Sequence, residues 1–348
     1  MDFGVFLEQM RNGSDQRTAF REVFELADAA EAWGLDIVWL AEMLMNPARS
    51  VLSAPLLVAS SIVTRTKRLR VGTAVLLLPL NHPLRVAGEI ATLDHLSAGR
   101  FDFGIGRSGF PRSYDALGVP YLESQERFFE ALEIIRRAWQ GEPFSHEGKY
   151  WRFANIGVAP RPYRTPHPPI RMAATTAETF PRVGTMGLPI FVGLRGMDIS
   201  TLKHHVRAYR RAWRDAGHAG SGNVYLRIPV YAAATERAAH EEPLESATFY
   251  FSRQADLQQT AVGRTGAGPA ERLQARVERL AGLSYEQILA ERVAFGSAAG
   301  LIDRVARLRE ELTLDGVVAE LDAGGLIPAE RVKKSLEILT HEVMPAFK

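Results

Sequence analysis

Residues 92–109 read TLDHLSAGRFDFGIGRSG. The first half completes a helix running from Pro83 to Ser97, and the second is a strand, Arg100 to Ile105, whose aromatic and β-branched residues favour extended backbone. Gly106 follows, and Arg107 leaves the strand end as a long cation. A helix feeding a short apolar strand that ends in a charged side chain is the repeating unit of an α/β protein with a parallel sheet.

The same alternation extends both ways from this segment. Towards the N-terminus, Phe3 to Leu7 is a first strand, and Phe20, Val23, Phe24, Ala27 and Ala30 keep one helical face. Gly34 stops that helix before a second strand, Asp36-Ile37-Val38-Trp39-Leu40. A helix around Ala54 to Thr64 and a strand from Arg70 to Leu77 follow. Towards the C-terminus, Phe128, Leu132, Ile135 and Trp139 mark a helix, and Gly141 to Pro169 is long for a connector, so a hairpin or flap is expected there. Further strands are read at Ile170 to Ala174, around Ile190 to Val192, at Tyr225 to Ala232 and at Gly316 to Leu321. Helical stripes run through Leu202, Val206, Tyr209 and Trp213, through Ile302, Val305, Leu308 and Leu312, and through Val332, Leu336, Leu339 and Val343.

Eight strands suit a closed, parallel β/α (TIM) barrel. Between Thr235 and Ser297 the pattern loosens into helices and one mobile loop, over the Gly-rich Gly263 to Gly268. No linker, repeat or low-complexity segment is in view, so one domain over residues 1–348 is expected, with irregular insertions near 141–169 and 235–297.

Composition narrows the function classes. The 348 residues are 46% hydrophobic and 24% charged, and 42 basic against 40 acidic residues leave a formal charge of +2, too little to draw the chain to nucleic acid or a membrane surface. The absence of cysteine removes disulfides, thiolate metal sites and cysteine nucleophiles together, which fits a reducing compartment. The start MDFGVFL lacks the basic and long apolar regions of a signal peptide, and no apolar run approaches the ~18 residues of a membrane span. The expectation is cytoplasmic.

In a barrel, chemistry gathers at the C-terminal ends of the strands. Arg107 stands at such an exit with a fork suited to phosphate oxygens, or else serves as a surface ion-pair donor. Thr175, Thr176 and Thr179 follow the fifth strand and open a helix, where hydroxyls and free amides bind an anion; alternatively one of them is only a helix cap. Thr73-Ala74-Val75 ends the third strand in small residues. His82 is either a general acid or base or a structural side chain at a helix start, and His95, inside a helix, reads as structural or interfacial. Neither histidine has partners that suggest a metal site. Gly104-Ile105-Gly106 lacks the remaining spacing of a dinucleotide fingerprint, and no Gly-x-Ser-x-Gly elbow is present.

Three segments, WGLDIVWLAE (Trp33 to Glu42), VGTAVLLLPLNHPLR (Val71 to Arg85) and the quoted 92–109, together resemble the bacterial luciferase-like family of flavin-dependent monooxygenases. PIRMAATTAETFPRVGTMGLP (Pro169 to Pro189) and the terminal HEVMPAF extend the match to nearly the whole chain, with 235–297 the weakest part. The resemblance implies a β/α barrel, FMN phosphate on Arg107, Thr175, Thr176 and Thr179, and the flavin ring against Ala41, Ala74, Val75, Gly106 and Ala173. It also implies a cis Ala74–Val75 bond and proton handling by Glu42 or His82. The expected substrate pocket is apolar, from Met43, Met45, Phe110, Tyr114, Leu117 and Leu194.

One departure stands out. Light-emitting members carry Glu-His-His where this chain has Glu42-Met43-Leu44, and a thioether offers no proton. Gly106 also replaces a thiol common among them. By resemblance the chain receives reduced FMN from a separate flavin reductase, uses dioxygen through a hydroperoxyflavin to oxygenate a small organic substrate, and forms a homodimer through the helices at 54–64 and 83–97. The rival readings are a deazaflavin-dependent hydride transferase on the same barrel and a non-catalytic flavin-binding subunit.

Overall fold

The computed structural model describes residues 1–9, 13–108, 110–262 and 267–348. In chain order the first elements are β1 (Asp2–Leu7), α1 (Gln16–Ala32), β2 (Ile37–Leu40), α2 (Pro55–Arg65), β3 (Arg70–Thr73), β4 (Leu76–Leu77), α3 (Pro83–Leu96) and β5 (Phe101–Gly106). Next come α4 (Pro111–Ala116), α5 (Ser124–Ala138), β6 (Phe144–Glu147), β7 (Arg152–Ile156), β8 (Ile170–Ala173), α6 (Thr179–Thr185), β9 (Ile190–Gly193), α7 (Ile199–Asp215) and β10 (Val224–Ala232). Four helices, α8 (Glu236–Glu241), α9 (Leu244–Val262), α10 (Ala267–Ala281) and α11 (Tyr285–Glu291), precede β11 (Ala294–Gly296), α12 (Ala298–Leu312), β12 (Gly316–Glu320) and α13 (Ala329–Ile338).

Parallel pairing runs β12-β1-β2-β3-β5-β8-β9, and β10 closes the ring by pairing with both β9 and β12. This is the eight-stranded closed barrel that the alternation implied. β11 adds only to the far end of β10, and β4 continues the third strand past the Ala74–Val75 bond, so that Leu76 again faces Ile105. The 141–169 stretch does form an antiparallel hairpin, β6 with β7. Glu130 of α5 seats it, accepting the Tyr150 and Trp151 amides at 3.1 and 2.9 Å and lying 3.2 Å from His146 Nε2.

Several expectations need adjustment. Phe20 is 37% exposed, and the face α1 buries runs instead through Ala19, Val23, Leu26, Ala27 and Ala30, so the aromatic ring flanks the stripe. The helix after the fifth barrel strand begins at Thr179, not at Thr175. Of the expected Gly-rich mobile loop, residues 263–266 lie outside the described residues, and Gly268 falls within α10. Among the described residues no helix is long and apolar enough to cross a membrane.

Large side chains fill the barrel because glycine faces them. Trp39 of β2 is fully buried and meets Phe191 edge-on at 4.8 Å. Its neighbours on either side are Gly4 and Gly72, where an added Cβ would come within 2.6 and 2.4 Å of the indole. At Gly72 the same Cβ would also lie 2.8 Å from the Asp102 carbonyl oxygen, which belongs to the sheet and cannot withdraw. Gly72→Ala is therefore expected to cost about 1–3 kcal/mol through overpacking. A denaturation midpoint equal to the parent's would show that the indole moves aside instead.

Candidate active site at the C-terminal mouth of the barrel

β5 and β8 are hydrogen-bonded neighbours, so their exits bring Arg107 and the 175–179 threonines to adjacent positions on the rim. Arg107 Nη1 donates to Ser124 Oγ at 2.8 Å, and its Cζ lies 5.6 Å from the centroid of the Tyr121 ring. These described partners are a hydroxyl and an aromatic ring rather than a carboxylate. Tyr114, fully buried, donates its hydroxyl to the Arg107 carbonyl and stands edge-on to Tyr121 at 5.2 Å. Burial pushes its phenol well above the usual range, so it stays a donor. The backbone turns sharply after the arginine, since Ser108 takes a φ of 64°.

Across the gap Thr175 and Thr176 are exposed and Thr179 is half-buried. The Thr176 and Thr179 hydroxyls are 2.9 Å apart, and the Thr179 amide donates to the Thr176 carbonyl at 3.0 Å. The N-cap position of α6 is Glu178, so none of the three threonines serves as its cap.

Small residues floor the space beside these groups. Ala41 and Ala74 belong to the buried cluster of Phe6, Trp39 and Phe191, with Val75 packed against it. The Ala74–Val75 peptide is cis, as the resemblance implied. Thr73 ties the third strand to the fourth, donating its hydroxyl to the Gly104 carbonyl at 2.7 Å and accepting the Gly104 amide at 3.1 Å. The approach is so close that a Cβ at Gly104 would lie 1.8 Å from the Thr73 carbonyl oxygen. A Cβ at Gly106 would lie 2.3 Å from Val75 Cγ2, so a thiol cannot occupy that position while Val75 stands there. Ala173, half-buried at the end of β8, completes a set of small side chains at four adjacent exits. A planar ring can therefore lie close to backbone here, with a cation and hydroxyls for an anionic tail. FMN fits both features.

Glu42, at the exit of β2, accepts the Leu77 amide at 2.5 Å. Burial raises its carboxyl from the ordinary 4.5 to about 7, against the opposing pull of the Leu77 amide and the Asn81 side chain. A carboxyl poised there can give or take a proton near neutral pH. Its field also reaches the Tyr114 phenol, which places it on the Arg107 side of the mouth. His82 is exposed at the N-cap position of α3 and makes no capping bond. His95 behaves structurally, with Nε2 2.9 Å from the Arg161 carbonyl and the ring edge-on to Tyr163.

Of the expected pocket residues, Met43 and Phe110 are half-buried, and Met45 and Leu117 are 41% and 44% exposed. Ser113 Oγ donates to the Leu44 carbonyl at 3.1 Å and so holds α4 against the methionine loop. Tyr114 supports Arg107 from beneath, and Leu194 is 1% exposed within the main core.

One group of side chains escaped the sequence reading. Arg227 lies within the apolar run of β10, yet its Nη2 is 2.8 Å from Glu320 and 3.3 Å from Glu8. Arg49 pairs with the same Glu8. No local spacing links residues so far apart. The available signal was a charge set inside an otherwise apolar strand, which demands a buried partner.

Residues 1–316 match the sequence model of the family described as luciferase-like monooxygenase. The chain is 27% identical over 365 residues to the oxygenase component of a flavin-dependent trigonelline monooxygenase from Acinetobacter baylyi, with all of this chain and 96% of that protein covered. The oxygenating constituent of 3,6-diketocamphane monooxygenase from Pseudomonas putida, solved in complex with FMN, matches with a TM-score of 0.83 at 22% identity, covering 99% of this chain and 98% of that one. The coenzyme F420 dependent tetrahydromethanopterin reductase of Methanopyrus kandleri has the same fold, with a TM-score of 0.75 at 19% identity over 100% of this chain and 99% of that one. With the family's sequence model spanning residues 1–316 and the barrel closed as described, the chain belongs to the luciferase-like monooxygenase family.

Proposed function

We propose that the chain is the oxygenase of a two-component system, which takes reduced FMN from a separate flavin reductase and oxygenates a small organic molecule with dioxygen. The observation that carries this reading is the adjacency of Arg107 to Thr175, Thr176 and Thr179 beside a floor of Ala41, Ala74, Val75, Gly106 and Ala173. Bound there in reduced form, FMN supplies the electrons that activate dioxygen, and the protein's part is to bind, orient and exclude water.

Arg107 and the threonines hold the phosphate, and the small residues let the ring approach backbone. Glu42 keeps a proton at its carboxyl near pH 7 and exchanges it with the reacting centre, in the place of the histidine absent at Met43. Exposed His82 relays protons from solvent. Met43, Met45, Phe110 and Leu117 give the substrate an apolar wall, with Tyr114 and Leu194 behind it. The cysteine-free composition suits the cytoplasm. Two copies associate through α2 and α3, where Leu57 is 73% exposed, and light scattering should return a dimer mass.

The test is oxygen uptake on addition of chemically reduced FMN, with and without the purified chain because free reduced FMN also consumes dioxygen, and with reduced F420 as the control. A rate of uptake that depends on the chain is expected with FMN and not with F420. Turnover with the deazaflavin and none with FMN would transfer the chain to the hydride-transferring relatives. Failure to bind reduced FMN would leave a non-catalytic subunit.

A further inference from the structure

Opposite Arg107, the mouth gathers buried arginines whose hydrogen-bonding groups are not all used. Counted around the ring from β1, the exits of β5 and β8 are the fourth and fifth, and β12 closes the ring beside β1 on the far side. There Glu8 pairs with Arg49, Arg227 bridges Glu8 and Glu320, and Tyr250 of α9 sets its hydroxyl 3.2 and 3.1 Å from the two Glu320 oxygens. Arg195, just past β9, acts on Tyr250 and Glu320 as well, and Arg253 of α9 feels Arg49, Glu8 and Tyr250. Four guanidiniums thus gather around Glu8 and Glu320. Burial would raise the Glu320 carboxyl, but Arg227 and Arg195 overcome it and hold the group down at about 2. It is therefore held as an anion.

A cavity runs beside this cluster, lined by Phe6, Arg49, Tyr250, Arg253 and Glu320 among others. Arg49 is only 3% exposed, yet its Nη1 has no hydrogen-bond partner, and the Nε of Arg253 is likewise unpartnered. A buried cationic N–H without an acceptor is costly, which makes it a standing demand for an anion. Glu22 and Asp322 also line the cavity, and Asp322 already accepts the Ile327 amide. Phe6 joins the cavity to the apolar floor, because it packs with Ala41 and Ala74 and carries the Arg227 guanidinium 3.3 Å from its ring centroid.

We propose that this cavity receives the anionic end of the substrate, a carboxylate or an acid of like shape, with Arg49 and Arg253 as the recognising side chains. The inference rests on the mouth being the flavin site, and it narrows the substrate class from apolar molecules to organic acids. The apolar body lies towards Phe6 and the methionine loop, and the acid group takes forked, charge-assisted hydrogen bonds from the arginines.

The test uses the full chain and calorimetric titration with benzoate, nicotinate, hexanoate and decanoate, each set against its neutral amide. At least one acid should bind about tenfold or more tightly than its amide. Arg253→Gln should erase that preference, and Arg253→Lys should keep part of it. Both variants should melt, without ligand, close to the parent. Arg107→Ala should leave acid binding intact while weakening FMN, and Arg253→Gln should do the reverse. If no acid outbinds its amide, or if the preference survives Arg253→Gln, the proposal is overturned. It is equally overturned if FMN or inorganic phosphate displaces the acid and Arg253→Gln weakens FMN, because the arginines would then hold the cofactor's phosphate. Acid binding without any FMN binding would defeat the flavin reading and leave the anion site standing.

Discussion

Arg107→Ala should weaken FMN binding by roughly 10- to 150-fold, the equivalent of about 1.5–3 kcal/mol for a charge-assisted contact. The magnitude follows from how the guanidinium is held before any ligand arrives. Ser124 fixes one Nη, the Tyr121 ring lies 5.6 Å away, and Tyr114 anchors the arginine's own carbonyl from a fully buried position. Little side-chain entropy is then lost on binding, so most of the contact energy reaches the affinity. Ser124→Ala should give a smaller loss, since it loosens the fork without removing its charge. Flavin fluorescence titration at fixed salt measures both. An Arg107→Ala variant that binds FMN like the parent would take this residue out of the cofactor site.

Glu42→Gln should stabilise the protein at alkaline pH and flatten the pH profile of turnover near pH 7. A carboxyl with a folded-state value of about 7, against an ordinary 4.5, holds its proton more tightly in the native chain than in the unfolded one. Below about pH 4.5 both states are protonated and the group has no effect. As pH rises from 4.5 to 7, the unfolded chain releases the proton more readily and the native state loses ground. Above 7 the penalty is complete. Glutamine keeps an oxygen for the Leu77 amide and never ionises, so its advantage should grow from nothing near pH 4.5 to about 1–3 kcal/mol at pH 8. Urea midpoints across that range read the difference directly. An advantage that does not change with pH would mean that Glu42 is ionised throughout and holds no proton for catalysis.

The barrel was legible because each strand announces itself locally. Runs such as Ile37–Leu40 and Ile190–Gly193 are apolar and short, and each is followed by a helix. The neighbouring of Arg107 and Thr175 follows once the strands are counted in order around a closed ring. Relations set by depth and contact were not legible. Phe20 lies at helical spacing with buried residues and still faces outward, because periodicity fixes a face only to within about one position. The exclusion of a side chain at Gly106 depends on Val75, 31 positions earlier, and shows only when both strands are in place. The arginine cluster is the extreme case, since Glu8, Arg49, Arg227 and Tyr250 come from scattered segments and meet only across the closed mouth.

The pairing of β1 with β12 also has a consequence for synthesis. Asp2 to Val5 take as partners Gly316 to Ala319, about 300 residues later in the chain. While a ribosome makes this protein, β1 can pair with β2 early, but its other edge has no native partner until almost everything else has emerged. Closing so long a loop costs about 5 kcal/mol of chain entropy, and contacts of such sequence separation form slowly. For that interval the backbone of β1 leaves an open edge of the sort that captures other chains, and it stays open until the last strand arrives.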